Sequence, residues 1–383
     1  MADLPEAADL VVVGGGIVGA SVAYFSRKAG IERVVLIERG LFGSGSSSRA
    51  AGGIRQQFST EVNVRLSQQS LAFYRRFEQE LGIDAGFHQS GYLFLLTDGR
   101  AWKAFQRNAI MQRDLGVPAQ LLDREGARRL VPQLDVDDVL GATYCPTDGF
   151  ADPGSAVAGF VAGARAAGVI CRDETTVTGI DLSEGRVAAV RTAAGGVRTP
   201  IAVNCAGAFA AAIGRMVGLE LPVLPYRRQI FVTEPFDGLP DEMPLTVDFG
   251  TKFYCRREGR AVLMGMDDPA EPSGEDTATT VAFLERLIEA ATRRVPALAE
   301  AAIRTGWGGL YEVTPDHNPL IGETSVPGFW CACGFSGHGF MHAPAAGMAI
   351  AGLLTTGSSD PDVSELAPDR FARGAAIRES AVI

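Results

Sequence analysis

Gly14, Gly16 and Gly19 stand at the spacing G-x-G-x-x-G, directly after the apolar run Leu10-Val11-Val12-Val13. Glycines in that order permit a tight turn, the approach of backbone to a pyrophosphate, and close packing of helix on strand. The helix beginning there presents unpaired N–H groups and the positive end of its dipole to phosphate. A second run, Arg33-Val34-Val35-Leu36-Ile37, ends in Glu38, where an acid accepts hydrogen bonds from ribose hydroxyls. The spacing predicts a strand, a helix to about Ala29 stopped by Gly30, a second strand, and a site for an ADP-containing dinucleotide.

Two further stretches favour a flavin dinucleotide over a nicotinamide one. Phe42-Gly43-Ser44-Gly45-Ser46-Ser47-Ser48-Arg49-Ala50-Ala51-Gly52-Gly53-Ile54-Arg55 is a small-residue loop that can lie along an extended cofactor. It offers backbone N–H groups, hydroxyls and two guanidinium groups. Near the other end of the chain, Gly328 to Cys333 reads as a strand. It enters Gly334-Phe335-Ser336-Gly337-His338-Gly339-Phe340 and then a helix from about Ala343 to Leu354. The N-terminus of that helix is suited to the edge of a flavin ring where reduction places negative charge.

The elements that hold these stretches are of two kinds. Helical periodicity covers Val62 to Leu81, Ala101 to Leu115 and Ala156 to Ala167, and Phe283 to Ile288 falls in one more helix. Strand patterns occur at Gly91–Leu96, Ile201–Ala208, Gln229–Thr233, Lys252–Arg256 and Ala261–Gly265. The expected fold is α/β, a Rossmann-like FAD-binding domain with a second, mainly antiparallel-sheet substrate domain. Residues 1–85, 141–220 and 305–383 are assigned to the first, and 86–140 and 221–304 to the second.

Composition agrees with a globular protein of this size. The chain has 383 residues, 46% of them apolar, and a formal net charge of −10, which argues against a nucleic-acid binder. Lys28, Lys103 and Lys252 are its only lysines, so no polybasic membrane patch can be built from lysine runs. The acidic start, with no basic stretch, is not expected to be a secretory signal, and Ala343–Leu354 is expected to be too short to cross a bilayer. Six scattered cysteines form no C-x-x-C pair and read as reduced thiols of a cytoplasmic protein. Cys331 and Cys333 are expected to pack, and His338 and His342 lack partners for a metal site.

In these features the chain resembles the FAD-dependent D-amino-acid oxidase superfamily, and within it the group of sarcosine oxidase, glycine oxidase and the dye-linked proline dehydrogenase β-subunit. The resemblance rests on Gly14–Gly19 with Glu38, on Ser48 to Phe58, on Asn204-Cys205-Ala206-Gly207-Ala208 and on Gly334–Gly339. Trp307-Gly308-Gly309-Leu310-Tyr311, running on to Thr314-Pro315-Asp316-His317-Asn318-Pro319, is similar to the flavin-proximal segment of those enzymes. It implies oxidation of the C–N bond of a small amino acid or N-alkyl amino acid, by hydride transfer to flavin N5, to an imine that water hydrolyses. The same superfamily also contains enzymes that oxidise alcohol carbons, so a 2-hydroxyacid dehydrogenase is an alternative. A non-catalytic flavoprotein subunit is another.

The resemblance implies FAD contacts from Gly14, Gly16, Ile17, Val18 and Gly19, from Glu38 and Arg39, and from Ser46, Ser47, Ser48, Arg49, Gly52 and Gly53. Val177, Cys205, Ala206, Gly207, Gly309 and Tyr311 join them, as do Gly334, Ser336, Gly337, His338, Gly339, Phe340 and Met341. Gly309 takes the place of the cysteine that tethers flavin in monomeric sarcosine oxidases, so FAD is expected to be non-covalent. Met341 and Leu263 stand where those oxidases carry lysines, and Tyr311 follows Leu310 where glycine oxidases carry arginine. The resemblance makes Arg55 the candidate for the substrate carboxylate, because it aligns with the carboxylate-binding arginine of the sarcosine oxidases, and a planar guanidinium suits bidentate capture. Tyr254 and Tyr311 are candidates on the substrate side, with Tyr226 as a packing residue, and His338 as a proton relay or flavin-tuning group. The expected partner is a small amino-acid-like molecule, with a homo-oligomer or an additional subunit also compatible with the chain.

Overall fold

The computed structural model describes residues 4–383; the leader reading of Met1-Ala2-Asp3 lies outside them. Leu10–Val13 and Val34–Ile37 show no polar alternation because both are buried on both faces. They pair in parallel at the centre of a six-stranded sheet. Its order is Leu320–Glu323, Phe329–Cys333, Ala202–Asn204, Leu10–Val13, Val34–Ile37 and Ile170–Arg172. Only the first pair is antiparallel; the others are parallel. Gly14 therefore leaves the central strand beside Cys205, which leaves its neighbour, and the helix Ile17–Lys28 starts in the gap.

Against this helix lies Gly339–Thr356, which starts four residues before the expected Ala343. Gly347 allows the approach: a Cβ there would lie 2.3 Å from the Ser21 hydroxyl. Pro344 sits inside it. Proline has no N–H to give the carbonyl of Phe340, and the Tyr74 hydroxyl donates to that carbonyl instead, at 2.8 Å. Tyr74→Phe should leave this buried acceptor unsatisfied and cost about 1–3 kcal/mol. A lowered urea midpoint with an unchanged slope is the expected signature.

The helix expected from Val62 to Leu81 is two, Glu61–Tyr74 and Phe77–Leu81. The turn at Arg75–Arg76 brings Phe77 and Leu81 onto Gly159 and Gly163 of the helix Pro153–Ala166, where added Cβ atoms would lie 2.4 Å from each side chain. The small residues of that helix are notches for larger neighbours.

The second sheet has eight strands, in the order Ile303–Val313, Leu224–Thr233, Ala261–Met266, Tyr254–Glu258, Leu245–Asp248, Tyr92–Leu96, Gly141–Cys145 and Gln120–Leu122. All neighbours are antiparallel except Leu245–Asp248 on Tyr92–Leu96. Gly141–Cys145 and the 305–313 segment, assigned above to the nucleotide-binding part, thus run in this sheet. Ile303–Val313 went unread as a strand because Gly306, Gly308 and Gly309 interrupt its pattern. Those glycines admit close neighbours: a Cβ at Gly306 would lie 2.4 Å from the Phe231 ring. A separate three-stranded sheet, Val177–Ser183, Arg186–Thr192 and Gly195–Arg198, was also passed over. Its signal was the turn Glu184-Gly185, both at positive φ, between the runs Val177–Ser183 and Arg186–Thr192.

Candidate functional site

A cleft of about 370 Å³ follows the C-terminal ends of the central parallel strands and passes between the two large sheets. That size and its position outside the strand ends suit a cofactor site. At its start, Gly14 has φ +110, and a Cβ there would lie 2.4 Å from the Cys205 carbonyl oxygen. A Cβ at Gly19 would lie 1.8 Å from the Gly14 carbonyl oxygen, so helix and turn meet without a side chain between them. Glu38 accepts from the Gly15 N–H at 2.6 Å and the Gly40 N–H at 2.8 Å, which fixes its carboxylate on the cleft wall. The Ser47 hydroxyl accepts from the Ile17 N–H at 2.9 Å, folding the small-residue loop across the start of the helix.

Arg49 is held from two directions. Its Nη1 donates to the Gly308 carbonyl at 3.0 Å, and the Trp307 indole N–H donates to the Arg49 carbonyl at 3.0 Å. Gly309 faces the cleft because a Cβ there would lie 3.2 Å from that of Arg49. Away from the glycine loops, the Arg39 guanidinium lies 3.6 Å over the Phe209 ring, with Thr175, Thr176 and Val177 alongside.

The opposite end of the cleft is lined by Arg55, Tyr92, Arg228, Tyr254, Tyr311 and His338. Arg55 is 1% exposed; its Nη2 lies 3.3 Å from His338 Nε2 and its Nε has no partner. The guanidinium also lies 3.9 Å from the Phe58 ring centroid. Arg228 pairs with Asp267 at 2.6 Å, lies 5.1 Å from the Tyr311 ring centroid, and likewise has an unpartnered Nε. Burial pushes the phenols of Tyr92, Tyr254 and Tyr311 up, so they stay neutral donors. Tyr311 needs Gly337, at φ +93, where a Cβ would lie 2.4 Å from its ring.

His338 is placed differently from a titrating relay. Burial first, then Arg55 and His342, hold its pKa well below the ordinary value, so it is neutral near pH 7. It is also the N-cap residue of the helix Gly339–Thr356, whose positive end disfavours protonation further. His342 is turned away, its Nε2 at 2.8 Å from the Ser67 hydroxyl, and burial brings its pKa down to about 3.

Of the residues expected at the cofactor, Gly19, Ser48, Gly334 and Ser336 do not line the cleft. Gly19 serves packing; the Ser48 hydroxyl donates to the Gly43 carbonyl at 2.8 Å. The Gly334 N–H donates to Glu312 at 2.8 Å, and Ser336, at φ +52, turns its hydroxyl toward the Thr314 N–H at 3.2 Å. The remaining expected residues line it. Sequence reasoning missed Tyr92, Phe209, Arg228 and Glu312, all of which do so. Arg228 was legible in principle, because it shares a strand face with Ile230, also on the wall. Glu312 ties the glycine loop to the long strand, and burial pushes its pKa up to about 7. Among the described residues the cleft thus presents four guanidinium groups, on Arg39, Arg49, Arg55 and Arg228, against two carboxyl groups, on Glu38 and Glu312. With Arg228 paired to Asp267, the positive charge of Arg39, Arg49 and Arg55 is what suits a pyrophosphate and a second anion.

Residues 9–353 match the family described as FAD dependent oxidoreductase. The mitochondrial sarcosine dehydrogenase of Homo sapiens is 32% identical over 376 residues, 94% of this chain and 41% of that protein. This chain therefore spans about two fifths of that relative's length. The sarcosine oxidase subunit beta of Rhizobium meliloti is 29% identical over 377 residues, 97% of this chain and 90% of that one. Among solved structures, the L-proline dehydrogenase of P. horikoshii superimposes with a TM-score of 0.92 at 37% identity, covering 98% of this chain and 100% of that one. No helix among the described residues is long and apolar enough to cross a membrane, and the six cysteines are free and buried.

Proposed function

Because this chain belongs to the family of FAD-dependent oxidoreductases, we propose that it oxidises the C–N bond of a small amino acid or N-alkyl amino acid. The names of its relatives, sarcosine dehydrogenase, sarcosine oxidase and L-proline dehydrogenase, support that substrate class. The observation that carries it is a buried arginine with an unpartnered Nε, facing the cleft beyond a dinucleotide cradle. The cradle fits FAD: two glycines that exclude a Cβ, a fixed acid at the end of the second strand, and a helix N-terminus. When bound, FAD supplies the two-electron acceptor for a hydride leaving the carbon next to nitrogen.

The chain's own part is binding and orientation. Arg55 takes the carboxylate, while Arg228, paired with Asp267, packs by Tyr311. Tyr92, Tyr254 and Tyr311 keep water out and fix the approach of the reacting carbon. Neutral His338 accepts from Arg55 and orients it, without moving a proton near pH 7. Gly309 offers no side chain for attachment, which supports non-covalent FAD. The six-stranded sheet forms the FAD-binding domain and the eight-stranded sheet the substrate domain, with 141–145 and 303–313 counted in the latter. The likeness to a β subunit supports a further subunit as partner.

The test is an anaerobic visible titration of the purified holoprotein with sarcosine, L-proline, glycine and a 2-hydroxyacid. Bleaching by an amine is the expected result, and admission of air then separates oxidase from dehydrogenase. Bleaching by the 2-hydroxyacid alone would overturn the substrate class. A flavin that no donor touches would point to a non-catalytic subunit.

A further inference from the structure

Residues 377–383 run back across the molecule to the substrate end of the cleft. Their attachment begins on the turn at Thr314–Asn318: Asn318 Nδ2 donates to the Ile377 carbonyl at 2.7 Å, and the Glu379 N–H donates to the Asp316 carbonyl at 3.0 Å. That turn is itself fixed, since buried Arg370 grips the Asp316 carboxylate at 2.8 and 2.9 Å. Glu379 is fully buried, and its carboxylate is satisfied by neutral donors. It accepts from the Ser59 N–H at 2.9 Å, the Thr60 N–H at 3.2 Å, both of their hydroxyls, and Asn63 Nδ2 at 3.1 Å. Thr60 is the N-cap residue of the helix Glu61–Tyr74, so Glu379 caps this helix from a distant part of the chain, at the end where its dipole favours an anion.

Beyond this anchor the chain meets two cations. Arg55 Nη2 donates to the Ala381 carbonyl at 2.6 Å, and Lys252 Nζ donates to the Val382 carbonyl at 3.0 Å. Ile383 lines the cleft and is only partly buried against the apolar cluster that includes Tyr92 and Tyr254. The anchor at Glu379 is thus strong and Ile383 only partly packed, the distribution expected of a segment that moves.

We propose that residues 377–383 are a strap belonging to the substrate site. The Ala381 and Val382 carbonyls hold Arg55 and Lys252 until a carboxylate-bearing ligand takes Arg55 and displaces residues 380–383. A carboxylate makes a stronger, charge-assisted bond to guanidinium than an amide carbonyl does, so the exchange is downhill at Arg55. Its cost is the partial burial of Ile383 and the Lys252 bond. The inference rests on the reading of Arg55 as the carboxylate's partner.

Hydrogen–deuterium exchange on the FAD-loaded protein, with acetate as probe and acetamide as neutral control, tests it. Acetate should speed exchange at Ser380 and Ala381, whose N–H groups now donate to the Ser59 hydroxyl and to Glu379. Acetamide should not. Glu379→Ala should lower the acetate Kd, read from the flavin spectrum, by about tenfold, as expected when a closed state that competes with ligand is depopulated. Ile383→Ala, a milder variant should the first fail to fold, should lower it by about threefold on the same basis. Acetate binding with strap exchange unchanged, or weakened by these substitutions, overturns the strap and leaves Arg55 standing. No acetate binding to wild type or variants overturns both readings.

Discussion

Gly16→Val is expected to yield a folded protein that has lost FAD. A Cβ at this position would meet only the Ser47 hydroxyl, at 3.0 Å, the movable end of a short side chain. The apoprotein therefore has room for it. Valine would nevertheless project into the cleft at the N-cap of the helix Ile17–Lys28, where the cofactor's pyrophosphate must reach backbone N–H groups. Forced overpacking costs up to about 3 kcal/mol, or about a hundredfold in affinity. The flavin absorbance ratio of the purified variant reads this directly. Gly19→Val should behave differently, because its Cβ would collide with backbone at 1.8 Å and separate helix from strand. It should lower the urea midpoint of the apoprotein, which Gly16→Val should leave nearly unchanged.

The second large effect is at Arg55. Arg55→Gln should retain FAD and raise the apparent Kd for a carboxylate-bearing substrate by about 30- to 150-fold, the equivalent of the 2–3 kcal/mol carried by a hydrogen bond to a charged group. Arg55→Lys should lose less, since it keeps the charge and forfeits the two-pronged geometry. The glutamine variant should also release His338 from a neighbouring cation that now holds its pKa down, so its pKa should move up toward the ordinary value. A histidine resonance followed by NMR across roughly pH 4–7 checks that shift. A merely structural arginine would destabilise the protein without changing the preference for acids over their neutral analogues.

The nucleotide end was legible because its determinants are local. Strand, glycine turn, helix and Glu38 lie within one short stretch, and Gly14 and Gly19 are required by contacts made inside that unit or beside the adjoining strand. The substrate end is assembled from distant pieces. Tyr92, Arg228, Tyr254 and Tyr311 come from four strands, and no spacing in the sequence links them. Arg55 was found because it lies on the flavin loop; Arg228 was not, although the same cleft uses both. Phe209 was hidden because its role depends on Arg39, which stacks on it from another element. The last helix begins four residues before the expected Ala343, and the tertiary bond from Tyr74 satisfies the carbonyl that Pro344 leaves without a donor.

The most direct measurement of the central claim compares anaerobic flavin reduction by sarcosine and L-proline with reduction by their methyl esters. The esters keep the C–N bond and lose the carboxylate charge. A cleft built around Arg55 should reduce FAD with at least one of the free acids at much lower concentration than with its ester, and Arg55→Gln should erase the difference. Equal reduction by acid and ester in the wild type would contradict the assignment of Arg55.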